Sequence, residues 1–352
     1  MKKKFINIAG RFLGIVAMTA GVFLYPACTE ANGKEDVEPE ADPKEKFHIY
    51  LAFGQSNMVG YLGSGVGSGG GSSSQAWVTS NGYDTPPKNF RVMAAANDNR
   101  NPYSRKKSEW YAAKPPLVRN NTGLSTADFF GRTIAEEAAD KDITVGIIVV
   151  AVDGCAINLF SKDKDEFKAY IRARTEYGAY MQAQASAYID SNVTIGSADF
   201  NTTDYPYKRL VDLAKLAQEE GVIKGIIMHQ GESGKAAYNA STGSVGDNGS
   251  DSAANYAKAV RKIYDDLCDD LGLEKGKVPF LAGQAVGNNN SNISSIPNAF
   301  KDIPNTAFII QSDGCPAWAP GSSEYNETIH FSFDAYKELG TRYGRKMLEL
   351  VY

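Results

Sequence analysis

Ser56 stands in the run Gly54-Gln55-Ser56-Asn57-Met58, directly after an apolar stretch, where a tight turn would present its hydroxyl for nucleophilic attack. A serine performs acyl transfer only with a base to take its proton, an acid to orient that base and donors for the developing oxyanion. The chain has three histidines, so the base has few places to be. His48 lies at the amino end of the same apolar stretch, about eight residues and roughly 25 Å from Ser56 along an extended strand. It reads as structural. His229 ends another apolar run and could line a pocket. His330 is preceded three residues earlier by Glu327, a spacing that lets a carboxylate and an imidazole converge from one turn. His330 is therefore the expected base and Glu327 its orienting acid, with Asn326 as a weaker neighbour for that role. No serine has glycine at both −2 and +2, so the nucleophile elbow of the α/β-hydrolases is absent.

These residues need a frame that brings separated segments to one edge. Apolar, β-rich runs at 47–53, 143–152, 222–228, 278–282 and 306–310 are nearly continuous rather than alternating, which predicts strands buried on both faces of a parallel sheet. Helical patterns fall between them at 127–139, 167–189, 207–220, 252–271 and 334–350. In the third of these, Leu210, Leu213, Leu216 and Ala217 share one face. The alternation predicts a three-layer α/β sandwich with a central five-stranded parallel sheet, over one large domain from 47 to 352. Such a sheet places its site outside the carboxyl ends of the strands. There the sequence carries Gln55-Ser56-Asn57, Asp153-Gly154-Cys155, His229-Gln230-Gly231-Glu232, Gly283-Gln284 and the segment reaching His330. The Gly/Ser-rich stretch at 63–74 lacks the Gly-Lys-Ser/Thr ending of a phosphate loop and reads as a flexible loop, as does 240–252.

Composition narrows the partners. With 37 Lys+Arg against 41 Asp+Glu and a net charge of −4, the chain is no basic nucleic-acid binder. Three histidines and four cysteines leave little for a metal site. Lys2, Lys3, Lys4 and Arg11 precede an apolar run at 12–24 that is short for a bilayer span, and the run ends at Ala27-Cys28. This resembles a bacterial lipoprotein signal, with 1–27 removed, Cys28 acylated and 28–46 an acidic tether. The protein is then expected to be exported and held at a membrane by acyl chains. Of the other cysteines, Cys268 has helical spacing and reads as buried. Cys155 and Cys315 each follow a glycine after a strand, which leaves a bridge between them open.

Taken in order, Gly54-Gln55-Ser56-Asn57-Met58, His229-Gln230-Gly231-Glu232-Ser233 and the block around His330 resemble the SGNH hydrolases, and more narrowly their sialate O-acetylesterase-like branch, carbohydrate esterase family six. The similarity runs across most of 47–350. The resemblance implies a flavodoxin-like sheet order, Ser56 as nucleophile and His330 as general base. It implies an oxyanion hole of the Ser56 N–H, the Gly154 N–H and the Gln230 side-chain amide. It assigns Gln55, Asn57, His229 and Glu232 to the substrate pocket, and it requires no metal or organic cofactor. The chain departs from the family where Glu327 replaces an aspartate, where Gly234 stands in place of an acid, and where Asp153-Gly154 replaces a double glycine. The implied activity is removal of acetyl groups from a carbohydrate, acetylated xylan ahead of O-acetyl sialic acid. A catalytically inactive glycan-binding lipoprotein is the reading from another class, and a lipase-like ester preference is a third. Trp77, Trp110 and Tyr111 are candidate sugar-stacking aromatics.

Overall fold

The strand β1 (Phe47–Gly54) is buried along its whole length; its two apolar faces need a covering layer on each side, and its backbone edges need a neighbouring strand on each. It lies parallel to β4 (Thr144–Ala151) on one side and to β5 (Val222–His229) on the other. The computed structural model of the protein describes residues 42–60, 78–98, 104–118, 122–173, 204–233, 238–239, 244–245, 253–287, 290–317 and 329–352. The expected signal peptide, Cys28, Trp77, Asn326 and Glu327 lie outside them. Ala41–Tyr352 forms one compact unit. Among the described residues no helix is long and apolar enough to cross a membrane.

The remaining strands of the main sheet are β2 (Phe90–Met93), β3 (Trp110–Ala112), β8 (Phe280–Gly283) and β9 (Ala307–Ile310). The order is β3-β2-β4-β1-β5-β8-β9, with β3 alone antiparallel. The five predicted strands are all present and follow the flavodoxin-like order. The sheet is nonetheless seven-stranded. β2 and β3 escaped notice because they are three or four residues long and β2 carries an exposed Arg91. A separate two-stranded ribbon joins β6 (Tyr238–Asn239) to β7 (Ser244–Val245).

Helices cover both faces. On one, α2 (Thr126–Glu137) and α7 (Phe333–Val351) pack on the sheet and on each other. Gly340 and Gly344 permit that approach, since a Cβ on Gly340 would lie 2.6 Å from the Thr126 carbonyl. On the other lie α3 (Lys164–Ala173), α4 (Pro206–Ala217), α5 (Ala253–Leu271) and α6 (Ser291–Ala299). The period-two alternation of β1 serves both layers: Tyr50 meets Phe130 of α2 edge-on at 5.2 Å, while Phe53 packs on Phe160 at 5.0 Å. α4 buries Leu210, Val211, Leu213, Ala214 and Ala217, but Leu216 is turned outward and 41% exposed, contrary to its expected place on the apolar face.

Cys268 is buried as expected, and that burial pushes its thiol up to about 11. Cys155 and Cys315 are both free thiols. Their strands β4 and β9 are separated by β1, β5 and β8, so four strand spacings, roughly 19 Å, lie between them. A disulfide needs Cα atoms within about 7 Å.

His48 is held at the rear of the sheet, away from the site. Its Nδ1 lies 2.7 Å from the Tyr352 hydroxyl and its Nε2 3.0 Å from the Glu45 carbonyl. The neutral ring with hydrogen on Nε2 satisfies both contacts. Burial and the Lys224 charge depress its pKa below the ordinary 6.5. An imidazole depressed in the folded state binds its proton more readily when unfolded, so its contribution is complete above 6.5 and is lost as pH falls from there through the lower folded pKa. Thermal melting of His48→Gln is therefore expected to narrow its deficit against the wild type between pH 7.5 and pH 5. An unchanged gap would refute the assignment.

Candidate active site

The sheet register builds the site. Gly54 lies level with Ala151 of β4 and with His229 of β5, so the residues that follow each strand emerge side by side. Gln55-Ser56, Val152-Asp153-Gly154 and Gln230-Gly231-Glu232 thus meet at one carboxyl edge. Gln55 N donates to the His229 carbonyl at 2.9 Å, and Val152 N donates to the Gly54 carbonyl at 3.0 Å, which locks the three turns together.

Ser56 opens the short helix α1 (Ser56–Val59) and is only 4% exposed. Neither its N–H nor its Oγ has a hydrogen-bond partner among the described residues. Gly154 takes φ +62°, a left-handed turn that favours glycine.

His330 is partly exposed and runs directly into α7, whose cap is Ser332, with Oγ accepting from Ala335 N at 3.2 Å. The segment carrying it is joined to the nucleophile's turn by Asn57. Asn57 Nδ2 donates to the Ile329 carbonyl at 3.1 Å, and Phe331 N donates to Asn57 Oδ1 at 3.3 Å. The residue after Ser56 therefore grips the residues on either side of His330. A further bridge pairs Ala317 with Phe331.

The four residues assigned to the substrate pocket are placed differently from that expectation. Gln55, Asn57 and His229 are 2%, 0% and 0% exposed, and their polar atoms are turned inward. Gln55 Oε1 accepts from Gln230 Nε2 at 3.1 Å and from Ser233 N at 3.2 Å, fastening the loop after β5. His229 Nε2 lies 3.4 Å from Glu232 Oε1, and Tyr343 stands on its other side. Burial raises the Glu232 pKa, but the neighbouring His229 and the Asn57 amide outweigh it and hold the carboxyl below its ordinary value.

Gln230, assigned to the oxyanion hole, has its side-chain amide tied into the surrounding turns. Its two Nε2 hydrogens go to Gln55 Oε1 and the Cys155 carbonyl, both at 3.1 Å, while its Oε1 accepts from Tyr256 at 2.6 Å. Turning the amide over would set oxygen against two acceptors, so the orientation is fixed and both donors are spent. Trp110 is a packing residue, with its ring 4.8 Å from Phe47. Tyr111 serves its own edge loop, donating to Glu109 at 2.7 Å and accepting from Lys106 N at 2.9 Å. Tyr256 and Tyr336, which buttress the site from α5 and α7, went unnoticed in the sequence; their helical spacing marks them only as core.

A parallel, flavodoxin-like sheet with a serine turn, a glycine turn and a histidine segment at one edge defines an SGNH-type hydrolase architecture. The family model for carbohydrate esterases of the sialic acid-specific acetylesterase type matches residues 46–189 and 192–349, and the chain belongs to that family. Among solved structures it is similar to a protein of Arabidopsis thaliana at 16% identity and a TM-score of 0.52, over 88% of this chain and 100% of that one. It is also similar to NanS at 14% identity and a TM-score of 0.50, over 87% and 98% of the two chains. A carbohydrate acetylesterase of Xanthomonas citri aligns at 16% identity and a TM-score of 0.49, over 86% of this chain and 56% of that one. The first two likenesses carry the fold; the family carries esterase activity on carbohydrates.

Proposed function

We propose that the protein is a serine carbohydrate O-acetylesterase in which Ser56 is the nucleophile and His330 the general base. The observation that carries this reading is the double grip of Asn57 on both neighbours of His330, which sets the histidine segment against the serine's own turn. Ser56 Oγ adds to the acetyl carbonyl as His330 takes its proton. The negative charge that forms on the carbonyl oxygen is met by the Ser56 N–H, which no described residue engages, with the Gly154 N–H as the second donor. Collapse breaks the bond to the sugar oxygen, which leaves with the proton from His330. Water, deprotonated by the same imidazole, then attacks the acetyl-serine and releases acetate. Glu327 is the proposed orienting acid.

An acetylated polysaccharide of the acetylxylan kind is the proposed substrate, because a domain presented on an exported tether meets polymers that cannot enter a cell. The same proposal keeps the domain on an acyl anchor at Cys28, which palmitate labelling, lost in Cys28→Ser, would detect. Acetate release should be faster from acetylated xylan than from O-acetyl sialic acid, and Ser56→Ala should abolish both. A reversed preference would make the protein a sialate O-acetylesterase on the same mechanism.

A further inference from the structure

Asn57 is fully buried and spends every hydrogen-bonding valence it has. Its Nδ2 hydrogens go to Glu232 Oε1 at 2.5 Å and to the Ile329 carbonyl at 3.1 Å. Its Oδ1 accepts from Phe331 N at 3.3 Å and from the Tyr336 hydroxyl at 2.8 Å. An amide has two donors and two acceptor lone pairs, so nothing is left for a substrate.

The pattern of partners has a direction. Ile329 and Phe331 flank His330, so one side chain fixes the peptide on each side of the imidazole-bearing residue and with it the path of the Cα–Cβ bond. The backbone of Asn57 adjoins Ser56, so nucleophile and base take their relative position from the same residue. Glu232, the Ile329 carbonyl and the Phe331 N–H set which way the amide faces: the first two require a donor and the last an acceptor, and the Tyr336 hydroxyl adds a bond to Oδ1. A reversed amide would lose the contacts to Glu232, Ile329 and Phe331 at once.

We propose that Asn57 is a positioning residue that holds the His330 segment in register with the Ser56 turn, and that Glu232 and Tyr336 act through it. This rests on Ser56 and His330 being the nucleophile and base. A base displaced by about 1 Å costs on the order of 100-fold in rate, whereas substrate binding is untouched by an amide whose valences are all spent.

The test is kinetic, on the purified full domain with p-nitrophenyl acetate and a fluorophosphonate that labels an activated serine. Asn57→Ala should lower kcat by about 100-fold and slow the labelling in parallel, with KM essentially unchanged. Asn57→Asp keeps the acceptor for Phe331 and Tyr336 but turns an oxygen toward Glu232 and the Ile329 carbonyl. Its activity relative to the wild type should rise as pH falls and the new carboxyl protonates. Tyr336→Phe removes one of the four contacts and keeps the ring in the core, so it supplies the readout if the Asn57 variants do not fold. It should lower kcat several-fold at constant KM, where a fall of threefold or more supports the proposal. A raised KM with unchanged kcat in Asn57→Ala would make it a substrate ligand and overturn the proposal. So would wild-type kcat in folded Asn57→Ala, or in Tyr336→Phe. Ser56→Ala separates the two levels: if it retains activity, the nucleophile is misassigned. If it is inactive while the Asn57 and Tyr336 variants turn over normally, only the positioning role is lost.

Discussion

Ser56→Ala is expected to lose acetate release by on the order of 10⁵- to 10⁶-fold while melting at the wild-type temperature. The side chain is small and nearly buried, and its hydroxyl supports no contact among the described residues. Its removal therefore opens no appreciable cavity and strands no partner. His330→Ala should fall by a comparable factor. The more telling comparison is the double variant. Because a nucleophile without its base and a base without its nucleophile are both idle, removing the two together should cost no more than removing either. Initial rates on p-nitrophenyl acetate, with active-site titration to count competent serines, decide the matter. Losses that multiply would mean the two residues act independently and would sink the paired mechanism.

Gly54→Ala should be among the most damaging single substitutions in the sheet. A Cβ at this position would lie 2.0 Å from the His229 carbonyl oxygen and 2.7 Å from its carbon, at a φ of +156°. Neither neighbour is a side chain that can swing aside. That carbonyl accepts from Gln55 N, and the Gly54 carbonyl accepts from Val152 N. Prying β1 from β5 therefore disturbs the serine turn and the glycine turn together. A cost above about 4 kcal/mol belongs to the exceptional class of point mutations, and in a domain of this size it lowers the melting temperature by about 6 °C or more. Loss of soluble protein, or such a drop with activity lost in parallel, is the expected result. A variant that melts within a few degrees of the wild type would show that the strands yield more readily than the backbone geometry allows.

What the sequence could disclose follows from where each signal resides. The strands β1, β4 and β5 were legible because continuous apolar runs have one stable placement, and the motifs at their ends were legible because the chain must turn there. β2 and β3 were not, since they are three or four residues long at the sheet's edge, β2 carries the exposed Arg91 and β3 is only partly buried. α6 contains Pro297, which argues against a helix locally, yet Ile293 and Ile296 are buried against the rest. The same limit governs the site. Ser56 and His330 are found by residue type and place, but the direction in which an amide points is set by the folded surroundings. Gln55 and Asn57 therefore read as ligands for a substrate, and Gln230 as an oxyanion donor, where the structure has their amides tying turns together. Trp110 was misread for a related reason. Gly146 leaves a notch beside it, where a Cβ would lie 2.8 Å from the indole, and the ring fills that notch.

β1 sits at the middle of the sheet, yet it is the first of the main strands to leave the ribosome. Neither neighbour exists until β4 and then β5 have been made, so its apolar length waits through much of synthesis with both sides bare. Closing such long loops before any contact rewards them slows folding and leaves a sticky intermediate open to aggregation. Recovery of the protein from a fast expression system should therefore depend on growth temperature and on holding chaperones far more than the finished molecule's resistance to heat would suggest.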